Sequence, residues 1–495
     1  MSTSIHPSQP PSIKTPESIE LPTSIETPES IELSTLSRLS SRADEPPLAS
    51  TASTASPPKP TTLRQVAICV ASFMCIFTTC GGVFSFGVYQ ELYQRMSEEP
   101  NTPFTGASPA AIDIIGTLSA AFMTIGAPIA NAWTKRFSPR VAVLIGAGLS
   151  FAAAMLASYS QHLWQFILTQ GLLMGLGTCF SYMPAATVAP MWFGRRRGLA
   201  MGIILSGTGV GGLVWAPVMH ALNENLGFRN ALRISGAVTT TLVAVGAFIL
   251  DWDPVSKARI DAEKARLASR PRHSLRSLWD IPLVDMRIAK TGKFGGQLLA
   301  TFLQSAAYYT PVFFFSAYAR TLGYSSRQGA NFIAINNACN ALGKIFLGIL
   351  ADRFGHINML LLTTAISAVA SFVFWMPSTL LGGHDLVTGR GLFVTYSIMY
   401  GTFASAYVSL FPAALVEIFG PHNFASVNGI LYMARGFGTL AGTPSAGATV
   451  HSGSHTAGPS AYFGMATLIS ALLLAASVGV VWVRWENKRA PMWKA

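Results

Sequence analysis

The strongest constraint on this chain is a repeated pattern of apolar runs separated by short polar loops. Each run is long enough to cross about 30 Å of hydrocarbon at about 1.5 Å per helical residue. No water is available inside a bilayer, so each run must satisfy its own amides, which a helix does. The runs fall at 65–92, 109–132, 141–159, 162–190, 199–222 and 231–250, then at 294–319, 326–350, 357–378, 387–415, 424–450 and 459–483. The expected fold is an all-α membrane protein of 12 transmembrane helices in two six-helix halves. Only 11% of the residues are charged, against about a quarter in a soluble protein.

Between and outside the halves the composition changes. Residues 1–62 are rich in Ser, Thr, Pro and Glu, and TPESIEL occurs twice, at 15–21 and 27–33. Such a segment buries too little apolar surface to offset its ordering entropy, so it reads as a disordered cytosolic tail. Thr15, Thr27 and the serines near Arg38 and Arg42 are candidates for phosphorylation, with an unmodified spacer as the alternative. No basic segment followed by an apolar stretch marks a cleavable signal peptide there. The N-terminal half is expected at 63–250, a basic cytosolic linker at 251–293, the C-terminal half at 294–483 and a second tail at 484–495.

The net charge of +12 is explained by orientation rather than by nucleic acid. With both termini in the cytosol, Lys135, Arg136, Arg140, Arg195 to Arg197, the linker, Arg353 and the C-terminal tail all lie on the cytosolic side of a multi-pass cell-membrane protein. The five cysteines sit inside apolar runs without metal or redox spacing and read as helix-packing residues. No phosphate-cradling GxxxxGK[ST] run occurs and no nucleophile has evident partners, so neither a nucleotide-driven pump nor an enzyme is expected, and no cofactor or metal.

Two motifs carry a family resemblance. Two six-helix halves joined by a basic linker resemble the major facilitator superfamily, and residues 343–355, GKIFLGILADRFG, between the second and third helices of the C-terminal half, resemble its loop signature. Gly348, Asp352, Arg353 and Gly355 occupy the key positions of its loop signature. Residues 192–211, WFGRRRGLAMGIILSGTGVG, resemble the fifth-helix signature of the monocarboxylate porter family, through Arg195, Arg196, Arg197, Gly202, Gly207 and Gly211. Ile204 and Ser206 stand where that family usually has alanine. Further similarity to fungal members lies at 84–93, 308–319 and 434–447. The resemblance implies halves that rock around a central site, giving alternating access.

Departures bear on mechanism. The acidic-Gly-Gly motif of that family is absent before the first span. Where its animal lactate porters carry an aspartate and an arginine one turn apart, this chain aligns Asn340 and Lys344. Asparagine takes up no proton, so that route of coupling is in doubt.

The candidate solute-binding residues are Arg435, Lys344, Asn340, Asn336, Tyr308, Tyr309 and Gln304, joined by Asn337, Phe313, Phe314 and Phe315 as a large amphipathic lining. Lys344 either meets an anion or snorkels to the interface beside Asp352; Arg435 either meets a carboxylate or enolate, or bonds neighbouring carbonyls. Asp113, His220 and Glu417 remain as titratable groups near span ends, each read first as an interface anchor. The missing aspartate and the aromatic seventh span favour a secondary active exporter of a small organic, acidic or secondary-metabolite-like solute. Uptake of a monocarboxylate or riboflavin-like nutrient is the runner-up, and a nutrient receptor on a transporter scaffold is the alternative of another class. The expected partners are the solute, the lipid bilayer and coupled protons, with the chain as a monomer and no nucleic acid.

Overall fold

Helices begin where the sequence supplies caps. Ser108, Ser138, Thr291 and Asp385 each accept a backbone N–H from the first turn that follows, and Ser325 and Gln328 close a capping box. Proline occupies the opening turn after Ser108 and after Ser138, where its missing N–H costs nothing. The computed structural model describes residues 61–194, 196–268, 286–450 and 458–489. The expected N-terminal tail (apart from 61–62), Arg195, the middle of the linker and residues 490–495 lie outside the described residues.

The spanning helices are α1 (Thr62–Glu98), α2 (Pro109–Ile125, continuing as Ala127–Arg136), α3 (Pro139–Tyr159), α4 (Leu163–Trp192), α5 (Arg197–Leu226) and α6 (Phe228–Ile249). After a linker helix at Pro254–Ala268 come α7 (Gly292–Thr321), α8 (Ser326–Phe354) and α9 (His356–Leu381). One continuous run of 63 residues follows, Leu386–Ala448, too long for a single crossing. It breaks at Gly420, whose φ of 75° lies in the left-handed region, with Pro421 next. The run therefore supplies α10 (386–419) and α11 (421–448), and α12 (Phe463–Arg489) completes twelve spans among the described residues.

An even number of crossings puts the start of α1 and the end of α12 on one face of the bundle, called here the terminal face. The sequence reading places span ten at 387–415 and span eleven at 424–450, missing that the loop between them is a single left-handed glycine. It also misses the 43° bend in α2 at Gly126, and two π-helical turns, Ile167–Leu173 in α4 and Ser371–Trp375 in α9.

Inside a bilayer, helices associate by close packing rather than by expelling water, so small residues mark the contacts. In α11, Gly442 lies against the backbone of Ala306 in α7, leaving no space for a Cβ. Gly82 in α1, by contrast, has nothing within 4 Å of where its Cβ would be. Gly442→Leu should therefore cost about 1–3 kcal/mol by forcing two backbones apart. Gly82→Ala should leave stability unchanged within about 1 kcal/mol. Thermal unfolding of both variants in detergent checks the contrast, and equal midpoints would refute it.

Candidate functional site

The centre of the bundle is set out by backbone interruptions. Pro311 in α7 cannot donate to the carbonyl of Ala307. That carbonyl and its neighbour on Tyr308 instead accept the Tyr400 hydroxyl of α10, at 3.1 and 3.0 Å. The exchange pins α7 to α10 at the level where Tyr308 and Tyr309 sit, their rings 4.9 Å apart and nearly perpendicular. Tyr308 then accepts at its hydroxyl from Asn340 Nδ2 of α8, at 3.4 Å.

Arg435 lies beside this cluster on α11, 3% exposed. Its guanidinium carbon stands 5.7 Å from the ring centre of Tyr407, 5.6 Å from Phe411 and 5.7 Å from Tyr432. Tyr432 is one turn earlier on the same helix, and Tyr407 and Phe411 are one turn apart on α10. The Tyr407 hydroxyl is held from α7 by Thr301 at 3.1 Å and Gln297 at 3.4 Å. The Tyr432 hydroxyl meets that of Tyr182 on α4, at 3.1 Å. Rings of this kind attract a cation through their faces, yet Arg435 Nη1 is buried without a hydrogen-bond partner among the described residues. The expectation that Arg435 bonds neighbouring carbonyls is not met at that nitrogen.

The other candidates carry orphaned polar atoms too. Gln304 has neither amide atom bonded, and the side-chain oxygens of Asn336, Asn337 and Asn340 are unpartnered and buried. A buried polar group without a partner costs about 1–3 kcal/mol. These groups do not all share one side: Asn336 lies against Gly401 of α10 and Asn337 against Gly212 of α5, while Asn340 reaches the Tyr308 hydroxyl.

Lys344 does not snorkel. It is fully buried, and its ammonium donates to the Leu205 carbonyl at 3.2 Å and to Thr208 Oγ1 at 2.5 Å, both on α5 of the opposite half. The residue is one turn from Asn340, whose amide reaches the Tyr308 hydroxyl. Lys344 and Arg435 are the two buried charges of the twelve helices among the described residues, and no carboxylate is buried there with them.

Of the five aromatic residues expected on α7, only some face this centre. Tyr309 meets Phe84 of α1 at 5.8 Å and Phe313 at 5.9 Å. Phe315 packs instead on Phe393, Tyr396 and Tyr400 of α10, and Phe314 on Tyr462. Adjacent residues point to different sides of a helix, so a run of three cannot share one face. His220 is exposed and pairs with Glu224 one turn on, at 3.6 Å.

The loop motif sits at the terminal face and joins the halves. Asp352, at the end of α8, accepts the backbone N–H groups of Gly198 at 2.7 Å and Leu199 at 2.9 Å, capping the start of α5 from across the interface. A carboxylate is favoured there by the positive end of the helix dipole. Contact is close because Gly198 lies against Gly348 and Gly202 against the Lys344 carbonyl. Gly207 and Gly211 serve a different neighbour, α1, at Phe73 and Phe77. Arg197 Nε donates to the Pro190 carbonyl at 3.0 Å, while Arg196 and Arg353 are exposed. His356 Nε2 stands 3.3 Å from Asp352 Oδ1, and its Nδ1 3.0 Å from Glu417 Oε2.

A second bridge runs from Asn428 to Thr187 at 3.2 Å, from Thr187 to Asn131 at 2.9 Å, and from Asn131 to the Ala425 carbonyl at 3.3 Å. These direct hydrogen bonds between the halves lie between the terminal face and the middle of the bundle. Beyond the middle the halves meet through apolar contacts such as Phe84 on Tyr309. The terminal face is thus latched by hydrogen bonds, whereas beyond the middle the halves touch through rings and through Gly209 and Gly212 of α5 against Asn337 of α8.

Twelve spans in two halves, with a sealed polar centre between them, define a membrane transporter of the alternating-access kind. The family model of the major facilitator superfamily matches residues 66–387 and 297–494, and the chain belongs to that superfamily. Among fungal relatives, it is 26% identical to the agnestins efflux protein AgnL12 of Paecilomyces divaricatus, over 90% of this chain and 93% of that one. It is 25% identical to the aspyridones efflux protein of Emericella nidulans, over 76% of this chain and 70% of that one. The solved proton:xylose symporter XylE shares the fold, with a TM-score of 0.60 at 14% identity, covering 83% of this chain and 95% of the symporter.

The sequence reading did not find Tyr407, Phe411, Tyr432 or Tyr182. The spacing of three or four residues between Tyr432 and Arg435, and between Tyr407 and Phe411, was the available signal. The cap at Asp352 makes a direct prediction. Asp352→Ala removes both bonds to the start of α5 and should raise the rate at which a cysteine placed at Ala425 reacts with a bulky maleimide by at least roughly tenfold, the worth of one charge-assisted bond. An unchanged rate would show that the cap holds nothing shut.

Proposed function

We propose that this transporter exports an organic anion with an extended apolar or aromatic framework. The observation that carries this reading is the buried Arg435 guanidinium, unpartnered at Nη1 and surrounded by three rings. A cation in the middle of a bilayer protein is retained for what it binds, and its natural partner is a carboxylate, enolate or phenolate. No buried carboxylate shares the helices with it among the described residues, so the anion is supplied by the solute. Tyr308, Tyr309, Tyr407 and Tyr432 supply ring faces for the framework, and Gln304, Asn336 and Asn340 supply polar contacts along it.

The names of the fungal efflux relatives support export over uptake. In this reading the terminal face is cytosolic, both termini are inside, and the transporter works as a monomer in a cell membrane, driven by a proton or solute gradient. Residues 63–250 and 294–483 act as the two rocking halves, joined by the 251–293 linker. The N-terminal tail, 1–62, is outside the transport core.

Untargeted metabolite profiling of cells with and without the gene tests the reading. Loss of an acidic compound from the medium, with its accumulation inside, is the expected result. Arg435→Ala at equal expression should lower export at least about tenfold, as expected for losing a charged hydrogen bond, and Arg435→Lys should restore part of it. Slower depletion of an external nutrient would assign uptake instead, and full export by Arg435→Ala would remove the anion site.

A further inference from the structure

The second buried cation raises a question that a binding role for Arg435 leaves open: Lys344 is satisfied by the wrong half. Lys344 and Arg435 both belong to the C-terminal half, on α8 and α11. The acceptors of the Lys344 ammonium, the Leu205 carbonyl and Thr208 Oγ1, both belong to α5 in the N-terminal half. Thr208 itself donates to the Leu205 carbonyl at 3.0 Å, so the three groups form a closed triangle across the interface. Both acceptors are neutral, and each is weaker than an ionised oxygen.

We propose that Lys344 is a solute-released tether. With the centre unliganded, its ammonium ties α8 to α5 and holds the terminal face shut together with the Asp352 cap. An anionic group held by Arg435 competes for the same ammonium and draws it off α5, because a charged acceptor outbids a carbonyl and a hydroxyl. Both cations then serve the C-terminal half, so the anion favours the state open at the terminal face, where an exported solute enters, and re-forming the tether as that face closes drives the anion off. The second part of this mechanism rests on the reading of Arg435 as an anion site; the tether itself does not.

The geometry gives the tether leverage. Gly202 lies against the Lys344 carbonyl, and Gly209 against that of Asn337 two turns away, so α5 and α8 touch along their backbones on either side of the ammonium. Any movement of α5 at its start must pass through that contact. A ligand shifts a conformational equilibrium only by its differential affinity for the two states. Here the difference is stated chemically: the tethered lysine is unavailable to the anion.

Hydrogen exchange on the purified full chain in lipid nanodiscs tests both parts, read at the first turns of α5 (residues 197–208). Lys344→Met should speed exchange there by about tenfold or more, the worth of a charged hydrogen bond. Thr208→Val, which removes one acceptor and leaves Lys344 in place, should give a smaller change in the same direction. Wild-type exchange in both variants would overturn the tether. Benzoate, the simplest aromatic carboxylate, should speed exchange in the wild-type chain and leave Lys344→Met unchanged. Benzoate that binds by calorimetry yet leaves wild-type exchange untouched would overturn the release. Equal benzoate affinity in Arg435→Ala would overturn the anion-site reading while leaving the unliganded comparison of Lys344→Met to decide the tether.

Discussion

The contact of α5 with α8 is the one on which the rest of the centre depends. Two helices that meet through ordinary side chains stand about 8–10 Å apart. Here Gly198 against Gly348, and Gly202 against the Lys344 carbonyl, bring the backbones themselves together. Only at that distance can Asp352 reach the first amides of α5, and only then can the Lys344 ammonium meet a carbonyl of the other half. The same approach fixes α8 so that Asn336, Asn340 and Lys344, spaced by one turn, run up a single side toward Tyr308. A glycine pattern thereby sets the position of an ion.

Charge is distributed with economy. Most basic side chains lie at the helix ends, where water solvates them, and acids at the terminal face are occupied with caps and with His356. Two cations alone are buried in the spans among the described residues, and they differ in what they lack. Lys344 has neutral acceptors and no counterion; Arg435 has aromatic faces and a nitrogen without an acceptor. Desolvated charges of this kind are tolerated where the structure needs them for a partner that arrives later. The direct hydrogen bonds described between the halves lie on one side of that centre, and on the other side ring and backbone contacts such as Phe84 on Tyr309 and Gly209 on Asn337 join them.

Several elements were legible in the sequence because they depend on local rules. The twelve crossings follow from run length and the energy of an unpaired amide in hydrocarbon. Asp352 and its glycines were identifiable as a loop signature, and Arg435 and Lys344 stood out because charged residues within spans are few. The choice among their alternatives was not legible. Whether a lysine four residues from Asn340 snorkels or crosses to another helix depends on which helix lies within reach, and nothing local to 336–352 specifies α5. Likewise the cage of Arg435 draws Tyr407 and Phe411 from another span and closes on Tyr182 from the other half.

What the sequence by itself determined is therefore the class of fold, the number of crossings and the identity of the unusual charges, since each follows from the mismatch between a polar group and the hydrocarbon around it. What only the tertiary structure decided is pairing: that Lys344 belongs to α5, that Asp352 caps the opposite half, and that Arg435 keeps an unpartnered nitrogen among three rings. The physical reason is range. Helical periodicity and solvation act over one or two turns, whereas Lys344 and Asp352 meet residues more than a hundred positions away and Arg435 takes two of its three rings from α10, contacts that exist only once the helices have packed.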